Sequence, residues 1–323
     1  MKNSVVILLA SLIASVASGA DSATKKAAPP QRTPTLANVA YGTHERQVLD
    51  FWRAESATPT PLVFHIHGGG WVNGDKATVA QLERYLAAGI SVVSINYRYV
   101  TQAILAGAKP PVEWSLRDAA RALQFVRSKA REWNLDRARI GATGGSAGAC
   151  SSLWLAFHAD MADPKSADPI ARESTRLWCA AVSGAQTTLD PQQMKEWTPN
   201  SRYGGHAFGF MPDPNNRSTR DTMFPQFLAA RESVLPWIRQ FSPYHHVTAD
   251  DPPVYLIYAA PPAKGKEEKD PTHTANFGVL LQEKLNATGV SNELVYPGAP
   301  GVKHPQMHDF LIATLKAPAR SRR

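Results

Sequence analysis

A serine set among glycines is where this sequence first offers chemistry. Gly144-Gly145-Ser146-Ala147-Gly148 follows the strand-like run Arg139 to Thr143 and leads into the helical pattern Ala149 to His158. Strand, tight turn and helix in that order lift the turn's side chain above the sheet, because flanking glycines accept a cramped backbone that a Cβ would block. A serine so placed is a candidate nucleophile, and the N–H groups opening the next helix face any negative charge formed beside it. The five residues alone also describe an ordinary glycine-rich turn; their flanking strand and helix favour the nucleophile.

The second cluster, His67-Gly68-Gly69-Gly70-Trp71, follows the apolar run Leu62 to Ile66. Three glycines let backbone N–H groups meet a ligand with no side chain in the way. A phosphate loop is excluded, since Asp75-Lys76-Ala77 stands where Gly-Lys-Ser/Thr is required, and no Gly-x-Gly-x-x-Gly fingerprint occurs. His65 sits within a strand run and reads as a core residue. His158, His206, His245, His246 and His273 have no metal-ligand spacing, so no metal is expected. Cys150 and Cys179 lie in apolar stretches and read as buried thiols.

These groups need a scaffold. Strand runs at Val48 to Trp52, Leu62 to Ile66, Ile90 to Tyr97, Arg139 to Thr143, Leu177 to Val182, Val254 to Tyr258 and Glu293 to Tyr296 alternate with amphipathic helices, for example Leu116, Ala119, Ala120, Leu123 and Val126. That alternation predicts an α/β chain, a mostly parallel central sheet with helices on both faces. The alternation lapses from about 185 to 242, where aromatics and prolines show weak periodicity; this predicts a lid insertion. Trp197, Tyr203, Phe208, Phe210 and Trp237 within it either stack on a ligand ring or pack the insertion onto the body.

At its glycine clusters and at Asn96-Tyr97-Arg98 the chain resembles the α/β-hydrolase family, in particular its hormone-sensitive-lipase-like and bacterial feruloyl or acetylxylan esterase branch. The resemblance runs from about Val39 to Leu315. It implies the α/β-hydrolase fold and a serine carboxylic-ester hydrolase without cofactor. It further implies that Gly69, Gly70 and Ala147 supply oxyanion N–H groups, and that acid and base follow the serine in that order. Asp270, beyond the strand Val254 to Tyr258, is the acid so implied. His304, in the loop before the last helix, is the base, with His308 in that helix's first turn as the alternative. An amidase or peptidase of the same fold, or a binding protein on a degenerate hydrolase fold, remain alternatives.

The ends are different in kind. Lys2 before the apolar run Val5 to Val16, then Ala17 to Ala20, reads as a signal peptide over 1–20, hence a periplasmic or secreted protein. A flexible linker is expected over 21–35, the hydrolase domain over 36–315, and a basic tail over 316–323. Nearly all of the net charge of +8 lies in these termini, so the body carries no basic stripe for nucleic acid. The expected partner is a small-molecule or polysaccharide ester, with no membrane span after cleavage of the signal.

Overall fold

The computed structural model describes residues 32–318. The expected signal peptide, the linker up to Gln31 and the tail from residue 319 lie outside the described residues.

Runs of β-branched and aromatic residues pair into one eight-stranded sheet in the order β1-β2-β4-β3-β5-β6-β7-β8. The strands are β1 (Leu36–Ala40), β2 (Val48–Trp52), β3 (Thr60–Ile66), β4 (Ser91–Ile95), β5 (Leu135–Gly145), β6 (Cys179–Ser183), β7 (Val254–Ile257) and β8 (Asn292–Val295). β1 and β2 join antiparallel at one edge, and the other strands run parallel. The sequence did not announce β1, because an exposed edge strand has no buried face to impose alternation.

Helices cover both faces. α1 (Leu82–Ala87), α2 (Val100–Leu105), α3 (Val112–Ser128), α4 (Ala130–Trp133) and α5 (Ala147–Phe157) precede β6 or follow β5 directly; α6 (Pro191–Trp197), α7 (Phe224–Ala229), α8 (Arg231–Phe241) and α9 (Pro243–His246) lie between β6 and β7; α10 (Asn276–Thr288) and α11 (Met307–Lys316) follow. Alternation along β3 divides the core: Leu62, Phe64 and Ile66 pack with α3 and α5, while Val63 packs with α1 and α11. Because β3, β5, β6 and β7 are parallel, their carboxyl ends share one edge of the sheet, and the loops leaving that edge meet there.

Three boundaries differ from the sequence reading. The last linker residues are bound to the body: the Arg32 carbonyl accepts from Trp52 Nε1 at 2.8 Å, and Thr35 Oγ1 accepts from the Arg53 N–H at 3.0 Å. Lys316 is the last residue of α11 rather than the start of a tail, and its ammonium donates to the Ala88 carbonyl. The region 185–242 is largely helical; α6 and α7 are too short to display a period, and Pro236 interrupts the pattern of α8. Asp118 of α3, although set between Arg117 and Arg121 on a helix with a charged face, is buried, taking two bonds from the Arg98 guanidinium at 2.7 and 2.9 Å. Neither Cys150 nor Cys179 is in a disulfide, and both are buried.

Candidate active site

Ser146 stands at the turn between β5 and α5 with φ 53° and ψ −123°, a backbone that L-residues seldom adopt. Its surroundings enforce that strain. The Ser146 N–H donates to the Ser183 carbonyl at 3.0 Å, and its own carbonyl accepts from Cys150 at 2.9 Å. A Cβ on Gly144 would stand 2.4 Å from the Ile66 carbonyl oxygen, and one on Gly148 would stand 2.1 Å from the same atom. The glycines are therefore required by β3 passing against the turn. Since Ser183 takes the serine's own N–H, Ala147 carries the first N–H of α5 left without an intrahelical partner.

His273 bridges Ser146 and Asp270. Its Nε2 lies 2.9 Å from Ser146 Oγ, and its Nδ1 lies 2.8 Å from Asp270 Oδ2. A carboxylate only accepts, so Nδ1 carries the proton and Nε2 presents its lone pair to the serine hydroxyl. The loop between β7 and α10 is shaped to bring both residues there. Asp270 Oδ1 accepts from the N–H groups of Thr272 and His273 at 3.2 and 3.3 Å, closing a turn that sets the pair side by side. Buried Gln186 donates to the Thr272 carbonyl at 2.7 Å, and buried Asn276, opening α10, donates to the Trp197 carbonyl of α6 at 2.8 Å and accepts from the Ala263 N–H earlier in the loop at 2.8 Å. Gly184, at φ 55°, passes close under the ring; a Cβ there would lie 3.2 Å from His273 Cβ.

His304 and His308 are not at the serine. His304 Nδ1 is held by Glu293 at 2.8 Å, and buried His308 takes a hydrogen bond from Arg84 at 2.9 Å. The base expected at His304 is thus corrected in position: the imidazole on the hydroxyl belongs to His273. Sheet order supplies the reason. β8 stands three places from β5, about 14 Å at the usual strand spacing, while β7 is one place nearer. The loop after β8 also folds back onto Glu293 of its own strand. The signal that could have found His273 is the Asp-x-x-His spacing from Asp270, compatible with one turn; the sequence reading weighed His273 only as a metal ligand.

Opposite the imidazole runs the glycine loop after β3. Gly69 and Gly70 have φ of 98° and 60°, and Gly68 packs against the serine turn, where a Cβ would meet Gly145 O at 2.7 Å. Every carbonyl from 67 to 70 is engaged. Tyr97 Oη donates to His67 O at 2.9 Å and Gly68 O at 3.2 Å; Gly69 O accepts from Val72 and Asn73; Gly70 O accepts from His206 Nε2 at 2.9 Å. In a trans peptide the N–H points opposite its carbonyl, so these bonds also fix where the loop's N–H groups aim. Asn96-Tyr97-Arg98 thereby earns its place: Asn96 donates to Asp75, Tyr97 holds the loop, and Arg98 anchors on Asp118. His67, buried beneath this loop, donates from Nδ1 to Gly68 O, and burial pulls its pKa down to about 4.

Ser146, Asp270 and His273 line an open cleft of about 1250 Å³ together with Gly68, Ser183 and Tyr258. His273 and Asp270 are 39% and 64% exposed, so the pair sits at the surface. None of the insertion's five aromatics lines it: Trp197, Tyr203 and Phe208 are buried in the core, where Trp197 meets Tyr244 and Phe277 edge-on and Phe208 stacks on Phe227, while Phe210 and Trp237 are partly buried against the same core. Among the described residues no group of three or more side chains is set to hold a metal ion, and no helix is long and apolar enough to cross a membrane.

A parallel sheet whose strand ends gather a strained serine, an imidazole–carboxylate pair and a glycine loop defines the α/β-hydrolase fold. The chain belongs to the BD-FAE family, an α/β-hydrolase family whose model matches residues 49–261. The probable carboxylic ester hydrolase LipM of Mycobacterium tuberculosis is 27% identical over 240 residues, which cover 68% of this chain and 46% of LipM. This chain therefore spans less than half of that curated relative. Among solved structures, a truncated carbohydrate esterase from gut microbiota superposes with a TM-score of 0.65 at 20% identity, covering 90% of this chain and 99% of that one. Esterase 2 of Thermogutta terrifontis, phosphonylated by sarin, gives 0.62 at 21% identity, covering 88% and 94%.

Proposed function

We propose that this protein is a serine carboxylic-ester hydrolase in which Ser146 attacks the ester carbonyl, His273 takes and returns the proton, and Asp270 holds the imidazole. The observation that carries this reading is the bridge of His273 between Ser146 Oγ and Asp270 Oδ2. Proton removal by Nε2 makes the hydroxyl a nucleophile; an acyl-enzyme forms as the alcohol leaves with that proton, and water repeats the sequence to release the acid. Gly69, Gly70 and Ala147 are the proposed donors to the oxyanion, each such donor being worth about 3 kcal/mol in related chemistry. For the loop donors the support is the carbonyl bonding described above, which turns the Gly69 N–H away from Tyr97 and the Gly70 N–H away from Val72 and Asn73.

The substrate we propose is an acyl ester borne on a bulky alcohol such as a polysaccharide. An imidazole–carboxylate pair this exposed leaves room for a chain passing over the cleft, and the carbohydrate esterase named above supports the same reading by similarity of fold. Recognition then falls to the cleft rim, with Glu268 and Lys269 beside Asp270, rather than to the buried aromatics of the insertion.

The test is turnover of p-nitrophenyl acetate with labelling by a fluorophosphonate. Ser146→Ala should abolish both, His273→Ala should lower kcat by about 10³-fold or more, and His304→Ala should stay within twofold of wild type. Retained turnover in Ser146→Ala overturns the reading, and a His304→Ala loss matching that of His273→Ala moves the base back to the loop after β8.

A further inference from the structure

We infer that His206 is a positioning residue for the glycine loop: its Nε2–H grips the Gly70 carbonyl and thereby fixes the Gly70–Trp71 peptide, the plane that flanks the glycine whose own N–H is a proposed oxyanion donor. This rests on the esterase reading, in which the Gly69 and Gly70 N–H groups face the oxyanion.

His206 is wholly buried, in the 3-10 turn Gly205–Phe208 that follows α6. The carbonyl of Gly70 can only accept, so the proton on His206 is on Nε2. Its other nitrogen has no hydrogen-bond partner; Asp221 Oδ1, which also has none, stands 3.6 Å away, outside hydrogen-bond reach but within the distance of an ion pair. Burial lowers the pKa of the ring, against the opposing pull of Asp221. The contact His206 does make is with the one loop peptide that nothing else holds by a hydrogen bond to its carbonyl.

The residue that carries this carbonyl is pliable. Gly70 has a left-handed φ of 60° and no Cβ, so both of its dihedrals are soft. Fixing the Gly70–Trp71 plane from one side, while the Gly69 carbonyl is fixed by Val72 and Asn73 from the other, determines both peptide planes that meet at Gly70. The same segment adds a steric stop. The Arg220 guanidinium, bonded to Asp221 and lying 5.1 Å from the Tyr203 ring centroid, occupies the space beside Gly70, where a Cβ would stand 2.6 Å from Nη1. Tyr203 in turn packs on Trp71 with ring centroids 6.3 Å apart. The segment 203–221 is thus a buttress behind the loop.

Three variants test this: His206→Met keeps the volume and removes the donor, His206→Leu repeats that with another shape, and His206→Gln restores an N–H. Each is checked for folding by thermal melting, then assayed for kcat and KM on p-nitrophenyl acetate and for amide hydrogen exchange in the 67–76 peptide. Expected are faster exchange in the Met and Leu variants, a kcat lower by tenfold or more with KM within twofold, and recovery of both in the Gln variant. Wild-type exchange in a folded donor-less variant overturns the inference, as does wild-type kcat in an active enzyme or a Gln variant as impaired as the Met variant. If wild type itself has no turnover, or Ser146→Ala keeps it, the esterase reading has failed; the exchange readout still decides whether His206 holds the loop.

Discussion

At the scale of the residue, Asp270 sets a limit on what its charge contributes. A carboxylate 64% exposed is solvated on most sides, and water screens its attraction for an imidazolium that forms beside it. Its remaining service is geometric, because it accepts from Nδ1 and so fixes the tautomer that leaves Nε2 free for Ser146. An amide in its place can present either an oxygen or an NH₂ to Nδ1, and only the former preserves that tautomer. Asp270→Asn should accordingly lower kcat by about 10- to 100-fold, less than the ~10⁴-fold seen where the carboxylate is buried. A loss equal to that of His273→Ala would show that the carboxylate charge matters despite its exposure.

At the scale of the element, the β5–α5 turn depends on contact with β3. Gly148 belongs to the first turn of α5, and its Cα rests against the Ile66 and His67 carbonyls. Helix propensity alone would favour alanine there. The contact wins, because the added methyl would stand 2.1 Å from Ile66 O, backbone that cannot swing aside. Gly148→Ala should lose about 2–3 kcal/mol of stability as overpacking and, because relief requires α5 to move, should also reduce fluorophosphonate labelling. Chemical denaturation and labelling rate check the two effects, and a variant as stable as wild type would mean that β3 and α5 can separate freely.

At the scale of the whole molecule, burying histidines ties stability to pH. The folded pKa of His67 lies near 4, below the ordinary value of 6.5, so in acid the unfolded chain takes up the proton first. Stability from this group is complete above pH 6.5 and drains away as pH falls toward 4. The loss at pH 4.5 should be about 2–3 kcal/mol for His67 alone. Urea denaturation at pH 7.5 and 4.5 measures it, and His67→Gln should show a correspondingly smaller difference between the two. Equal differences in the two proteins would place the acid sensitivity elsewhere.

Local pattern determined the scaffold and the serine. Strand runs announce themselves by composition, and the serine turn by glycines whose necessity is local, so β2 through β8 and Ser146 follow from short windows of sequence. The glycine loop after β3 is legible for the same reason. Tertiary structure decided which histidine meets the serine, because that depends on strand order and on how two loops of similar composition fold. His304 has a carboxylate in its own strand to turn back to, whereas the loop carrying His273 is drawn over the serine by Gln186 and Asn276, residues distant from it or unremarkable in sequence. The insertion's role was equally hidden: its aromatics and His206 are core-facing, and burial of a short, proline-broken helical segment leaves no period to read.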